Sequence, residues 1–179
     1  MDQARQRFGA ATVARLATAG PTCQPHLVPV TFALDGDHVY TAVDAKPKTT
    51  TNLRRLRNIH RDPRVAVLAD HYEADWGRLW WVRADGLASI LSEPTDLARP
   101  LELLAARYPQ YRAKPPAGPV IAIAVGRWTG WAAGAGPYAV PRRPAGRPQL
   151  TPAGSRLSAS CTAWSGSAKS AISPDWKFA

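Results

Sequence analysis

Cysteine is nearly absent from this chain: Cys23 and Cys161 are the only two in 179 residues. Two thiols so far apart give neither a disulfide framework nor a zinc-ligand pattern, which favours a cytoplasmic setting. No apolar run approaches the roughly 18 residues that mark a membrane-spanning helix. The polar start, Met1 to Phe8, is not the basic-then-apolar opening of a secretory signal. A glycine-rich dinucleotide fingerprint, a P-loop, a nucleophile elbow and a zinc motif are all missing. Acid is scarce too, with 13 Asp and Glu against 23 Lys and Arg and a net charge of +10. From Gly134 onward Arg142, Arg143, Arg147, Arg156, Lys169 and Lys177 face Asp175 alone, so +5 of the excess lies in that stretch. The other +5 suits an anionic small molecule as well as a nucleic acid. The basic residues are not interleaved with aromatics along one strand face, as a stacking platform requires, so no nucleic acid is expected.

What is present is enough for one domain with a real core, and too little for two. Asp2 to Ala11 reads as a short amphipathic helix and Thr12 to Thr18 as a strand, closed by Gly20 and Pro21. In the next strand His26, Val28, Val30, Phe32 and Leu34 share one face at period 2. Pro29 removes a ladder donor there and predicts an edge or a bulge. Asp35-Gly36-Asp37 marks a hairpin, returned by His38 to Val43. A helix is expected from about Thr50 to His60, with Leu53, Leu56 and Ile59 on its buried stripe. Asp62-Pro63 stops it, and Arg64 to Ala69 is a strand. Arg78 to Leu91 reads as a long strand with a turn or bulge at Asp85-Gly86. Leu97 to Tyr108 reads as a helix with Pro100 in its first turn, and Val120 to Trp128 as the last strand. The first connections are too short for parallel crossovers, so the expected fold is mainly β, an antiparallel closed or split barrel with flanking helices. The Gly-, Pro-, Ser- and Arg-rich stretch 134–179 reads as a disordered extension to a domain at 1–133.

Several groups carry candidate chemistry. Thr41, Lys46, Lys48 and the Thr49-Thr50-Thr51 helix start offer cations, hydroxyls and free N–H groups for a phosphate. A solvated loop with threonine capping fits the same residues. Arg54, Arg55 and Arg57 meet further anionic groups or form an ordinary charged face. His26, between two prolines, is either a proton donor and ring-edge contact or a structural histidine bound to a carbonyl. The run Asp70 to Asp75 holds carboxylates and an imidazole, but nothing completes a metal site. Trp76, Trp80, Trp81, Trp128 and Trp131 are dense for so small a domain and offer flat apolar faces.

The segments Pro25-His26-Leu27-Val28-Pro29-Val30-Thr31-Phe32, Tyr40-Thr41-Ala42-Val43-Asp44-Ala45-Lys46-Pro47-Lys48, Asn58-Ile59, Asp62-Pro63-Arg64-Val65 and Trp80-Trp81-Val82-Arg83-Ala84-Asp85-Gly86 occur in a familiar order. In that order the chain resembles the pyridoxamine 5′-phosphate oxidase-like split-barrel flavoproteins over about Met1 to Trp131, and within them the coenzyme F420-dependent oxidoreductases of actinobacteria. The resemblance implies a homodimer with the cofactor between subunits. It implies that Lys48, with Thr41 and Lys46, binds the cofactor phosphate, helped by Arg54 or Arg55. His26, Val28 and Pro29 would line the deazaflavin ring, and Trp76, Trp80 or Arg83 would come from the partner subunit. The implied activity is hydride transfer from reduced F420 to an unsaturated or quinone-like small molecule, with no strictly required catalytic side chain. Water or His26 would supply the proton. An FMN-dependent oxidase or reductase and a non-catalytic binder of F420 or haem are the alternatives.

Overall fold

Alternation writes the sheet. In the run Arg64–His71, Val65, Val67 and Ala69 are buried while Arg64 is exposed and Ala66 and Leu68 are half-buried, the period of 2 that places successive side chains on opposite faces. The computed structural model describes residues 3–43, 53–116, 118–134 and 136–139. In chain order these form α1 (Gln3–Ala10), β1 (Ala14–Ala19), β2 (Pro25–Val30), β3 (Ala33–Asp35), β4 (His38–Ala42), α2 (Arg54–Arg61) and β5 (Arg64–His71). A 3₁₀ turn (Trp76–Arg78) then precedes β6 (Trp80–Leu91), α3 (Pro94–Arg107), α4 (Pro109–Ala113), β7 (Val120–Ala132) and β8 (Gly136–Ala139).

The strands form one antiparallel sheet in the order β2-β1-β5-β6-β7-β4-β3, with β8 beside β7. β2 and β3 end that order at opposite margins, yet only Thr31 and Phe32 separate them in sequence. Three Cα steps span at most about 11 Å, so the margins must meet and the sheet rolls into a barrel. Covalent chain joins those margins where the ladder order ends, which leaves the barrel split and β2 at an edge. Pro29 sits on that edge strand, where a missing N–H is tolerated. The single strand expected from Pro25 to Leu34 is thus two, because the chain leaves one margin and enters the other at Thr31-Phe32.

Inside, Leu16, Phe32, Val39, Val67, Val82 and Ile123 are fully buried. Phe8 of α1 joins them with its ring 4.8 Å from Phe32 and 5.1 Å from Trp128, and Ile59 of α2 belongs to the same cluster. The turn or bulge expected at Asp85-Gly86 is a bulge: Asp85 pairs with Arg127 and Gly86 with Val125. A Cβ on Gly86 would stand 2.4 Å from the Ala124 carbonyl oxygen, so this approach of two backbones requires glycine.

A second cluster joins Leu104, Tyr111 and Val120 beneath α3 and α4. α3 begins at Pro94, three residues before the expected start, because proline is well placed in a first helical turn. Pro100 therefore lies in the helix interior rather than the first turn, where it forgoes a backbone hydrogen bond, and it is buried. No helix among the described residues is long and apolar enough to cross a membrane.

Candidate functional site

Residues 44–52, with Lys46, Lys48 and the threonine-rich stretch, lie outside the described residues. The site is therefore built from the elements that flank them. α2 has the sequence Arg-Arg-Leu-Arg-Asn-Ile-His-Arg, with no acid in its first turn and no side-chain cap from Leu53. Arg54 and Arg55 stand where the helix dipole is already positive, which costs up to about 1 kcal/mol per charge. A bound anion would offset that cost.

Packing fixes this cationic end against the β1–β2 hairpin. Asn58 and Ile59 are buried, and the Asn58 Nδ2 donates to Thr18 Oγ1 at 2.9 Å. Arg61 Nη2 donates to the Ala19 carbonyl at 2.9 Å. Arg54 reaches over the hairpin turn, its Nη2 3.6 Å from where a Cβ on Gly20 would stand. His26 lies opposite Thr18 on β2, with Nδ1 3.4 Å from Thr18 Oγ1. Burial first, then the Arg54 and Arg55 guanidiniums, hold the imidazole below its ordinary pKa of 6.5. Arg54, Arg55, Thr18, Asn58 and His26 thus meet at one end of the barrel.

The remaining expected residues are distributed differently. Val28 shares the inner face of β2 with His26, whereas Pro29 points to the outer face and is exposed. Thr41 is 3 % exposed on β4, paired with Ile121 of β7. Arg83 lies on the outer face of β6 in a two-point ion pair with Asp85, Nε to Oδ1 at 2.9 Å and Nη2 to Oδ2 at 3.0 Å. Trp76 is 67 % exposed in the 3₁₀ turn. Trp80 pairs with His71 at the far end of β5 and β6, while the level of Thr18 is that of Val65. Six residues of strand separate the two levels, roughly 20 Å at about 3.3 Å per residue. Within one chain, Trp80 and His26 do not meet one small ligand.

Trp80 has its own surroundings. It stacks on His71 at 6.5 Å and lines a cavity of about 380 Å³ with Arg7, His71, Arg78 and Leu79. Glu73 ties that end together, its Oε1 in an ion pair with Arg78 Nε at 3.0 Å and its Oε2 lying 3.3 Å from His71 Nε2. Asp75 accepts from the Gly77 N–H at 2.9 Å, and Asp70 pairs with Arg15. The carboxylates of this acidic stretch are thus engaged by arginines and backbone. No group of three or more metal-ligating side chains occurs among the described residues. Sequence reading did not associate Arg7 with this cavity, since α1 reaches it only through the fold. It also gave Thr18 and Asn58 no role in the site, although Thr18 ends a predicted strand and Asn58 belongs to a segment that carries the resemblance. An amide four residues after Arg54 in a helix that is otherwise basic or aliphatic was the signal for Asn58.

A split antiparallel barrel with a cationic helix against its edge strand defines a recognisable class. Residues 1–132 match the family model described as pyridoxamine 5′-phosphate oxidase, and the chain belongs to that family. Among solved structures it is similar to the conserved hypothetical protein Rv2991 of Mycobacterium tuberculosis. The two are 25 % identical with a TM-score of 0.60, over 74 % of this chain and 86 % of that one. An FAD-binding protein of Mesorhizobium loti is 21 % identical with a TM-score of 0.56, over 72 % and 91 %. A heme binding protein of Mycobacterium smegmatis is 20 % identical with a TM-score of 0.62, over 76 % and 55 %. No curated protein matches the chain.

Proposed function

We propose that this protein is an oxidoreductase that uses reduced coenzyme F420 as hydride donor to an unsaturated or quinone-like small molecule. The observation that carries the reading is the convergence of Arg54 and Arg55 on His26 at the edge strand. That arrangement supplies cations for a phosphate beside an accessible backbone on which a flat ring can lie. α2 holds four arginines and a histidine among eight residues and no acid. A cofactor whose anionic groups continue beyond one phosphate, as in the glutamate tail of F420, makes fuller use of that face than FMN does. A single phosphate needs only Arg54 and Arg55, so FMN is the second reading, and the FAD-binding name of the Mesorhizobium loti neighbour is in keeping with it.

The deazaflavin supplies the hydride, and the protein supplies binding, orientation and exclusion of water. In this reading Lys46, Lys48 and Thr41 join the phosphate seat, and His26, Val28 and the Pro29 backbone line the ring. The protein acts as a homodimer, in which Trp76, Trp80 or Arg83 approaches the site from the second copy. Two features support that arrangement: the distance between Trp80 and His26 within one chain, and the outer sheet face that carries the exposed Leu27 with Trp81 and Trp131.

Fluorescence titration tests the reading with F420, FMN and hemin, on the wild type and on Lys48→Ala and Arg54→Ala/Arg55→Ala. The expected result is micromolar or tighter F420 binding, preferred over FMN, weakened at least tenfold in both variants. Binding of FMN alone moves the protein to flavin chemistry. Hemin binding without F420 binding makes it a haem binder, and binding of none of the three sinks the functional reading.

A further inference from the structure

Three polar side chains from three elements form a chain at the barrel end: Asn58 of α2, Thr18 of β1 and His26 of β2. Asn58 is 3 % and Thr18 4 % exposed, so their polar atoms must find partners within the protein. A threonine hydroxyl carries one proton and two lone pairs. Thr18 Oγ1 accepts from Asn58 Nδ2 at 2.9 Å, which leaves its proton to be directed elsewhere. Within reach of that proton is His26 Nδ1, at 3.4 Å, an atom that accepts in one tautomer and donates in the other. An Nδ1 that accepts has no proton of its own, so in a neutral ring the proton sits on Nε2, facing away from the threonine.

The surroundings decide the charge of that ring. Burial and the guanidiniums of Arg54 and Arg55 both disfavour the cation. The neighbour from β1 is the neutral Thr18, and the third arginine near the hairpin, Arg61, is held on the Ala19 carbonyl. No carboxylate is among the groups that perturb His26.

We propose that the Asn58–Thr18–His26 chain locks His26 as the neutral Nε2–H tautomer, so that it is a fixed hydrogen-bond donor to a carbonyl oxygen or ring nitrogen of the ligand at β2. A neutral imidazole N–H is a very weak acid at physiological pH, and His26 keeps its proton. The proton that accompanies reduction then comes from water. Thr18 and Asn58 are positioning residues, acting through His26. That the acceptor atom belongs to a deazaflavin or its substrate rests on the functional reading above; the tautomer does not.

Two-bond ¹H–¹⁵N correlation spectra of the ¹⁵N-labelled full chain read the tautomer directly, with His26→Gln assigning the ring among the four histidines. At pH 7 the expected pattern for His26 is a bare Nδ1 and a protonated Nε2. Thr18→Ser retains this pattern, and Thr18→Val replaces it with a mixture of tautomers while backbone dispersion stays native. If Thr18→Val fails to fold, the wild-type spectrum still decides: an Nδ1–H tautomer or an imidazolium at pH 7 overturns the proposal. F420 added to the same sample should shift the Nε2 resonance and leave the tautomer unchanged. Binding that leaves Nε2 unmoved overturns the donor role. Absence of binding overturns the functional reading instead, and the wild-type tautomer then decides the hydrogen-bond chain on its own.

Discussion

At the scale of single residues, the phenol of Tyr108 shows how much one polar atom can organise. Its oxygen accepts from the Phe32 N–H at 3.0 Å and lies 2.9 Å from both the Phe32 and Thr12 carbonyls. Phe32 is fully buried at the seam where β2 passes into β3, so its N–H has no water to fall back on. Tyr108→Phe strands that donor and should destabilise the fold by about 1–3 kcal/mol. Urea denaturation with an unchanged m-value checks this, against Tyr111→Phe, which removes a hydroxyl contact to Thr31 at 2.8 Å. Equal midpoints for Tyr108→Phe and wild type would show that the seam does not depend on the phenol.

His26 gives a pH signature with a definite sign. Its folded-state pKa lies below 6.5. Between that depressed value and 6.5 the unfolded chain binds more protons than the folded one, so stability rises with pH through this window and is lost on acidification. His26→Gln should shrink the loss of urea midpoint between pH 7.5 and pH 5.5 relative to wild type. An unchanged difference would mean that other groups carry the acid sensitivity.

At the scale of elements, period and punctuation made most of the sheet legible. The Val65, Val67, Ala69 alternation, the Asp35-Gly36 turn and Pro63 after α2 all appear where local chemistry puts them. The break at Thr31-Phe32 was not legible, because alternation runs straight through it and only barrel closure demands it. Pro94 and Pro100 are both compatible with a first turn, and the choice between them falls to tertiary packing of Leu104 and Tyr111. The site was legible only in part. Arg54, Arg55 and His26 stood out by type and position, whereas Thr18 became meaningful only once β1 had paired with β2. The β6–β7 bulge is the element most exposed to a single added methyl. Gly86→Ala would drive a Cβ into the Ala124 carbonyl, and overpacking of this kind costs about 1–3 kcal/mol. A melting temperature within a degree of wild type would show that the two strands separate there at little cost.

At the scale of the whole molecule, the outer sheet face presents a surface that the inner core does not account for. Leu27 is 62 % exposed there, and register places Ala17 and then Ala66 beside it across three strands. Leu68 lies on the same face, as do Trp81 and Trp131, paired across β6 and β7. Small and apolar side chains over five strands, with the ion pairs Arg83–Asp85 and Arg15–Asp70 set among them, make a poor water-facing surface and a good protein-facing one. A second copy lying on it would satisfy both this face and the separation of Trp80 from His26. Leu27→Asp places a carboxylate in that contact, where an unpaired buried charge costs several kcal/mol, but leaves it in water in the single chain. If the proposed dimer forms through this face, the variant should stay folded, sediment as a monomer under conditions in which the wild type sediments as a dimer, and bind F420 at least tenfold more weakly. A dimeric Leu27→Asp would place the contact elsewhere on the molecule, and a monomeric variant with wild-type affinity would confine the cofactor seat to one chain.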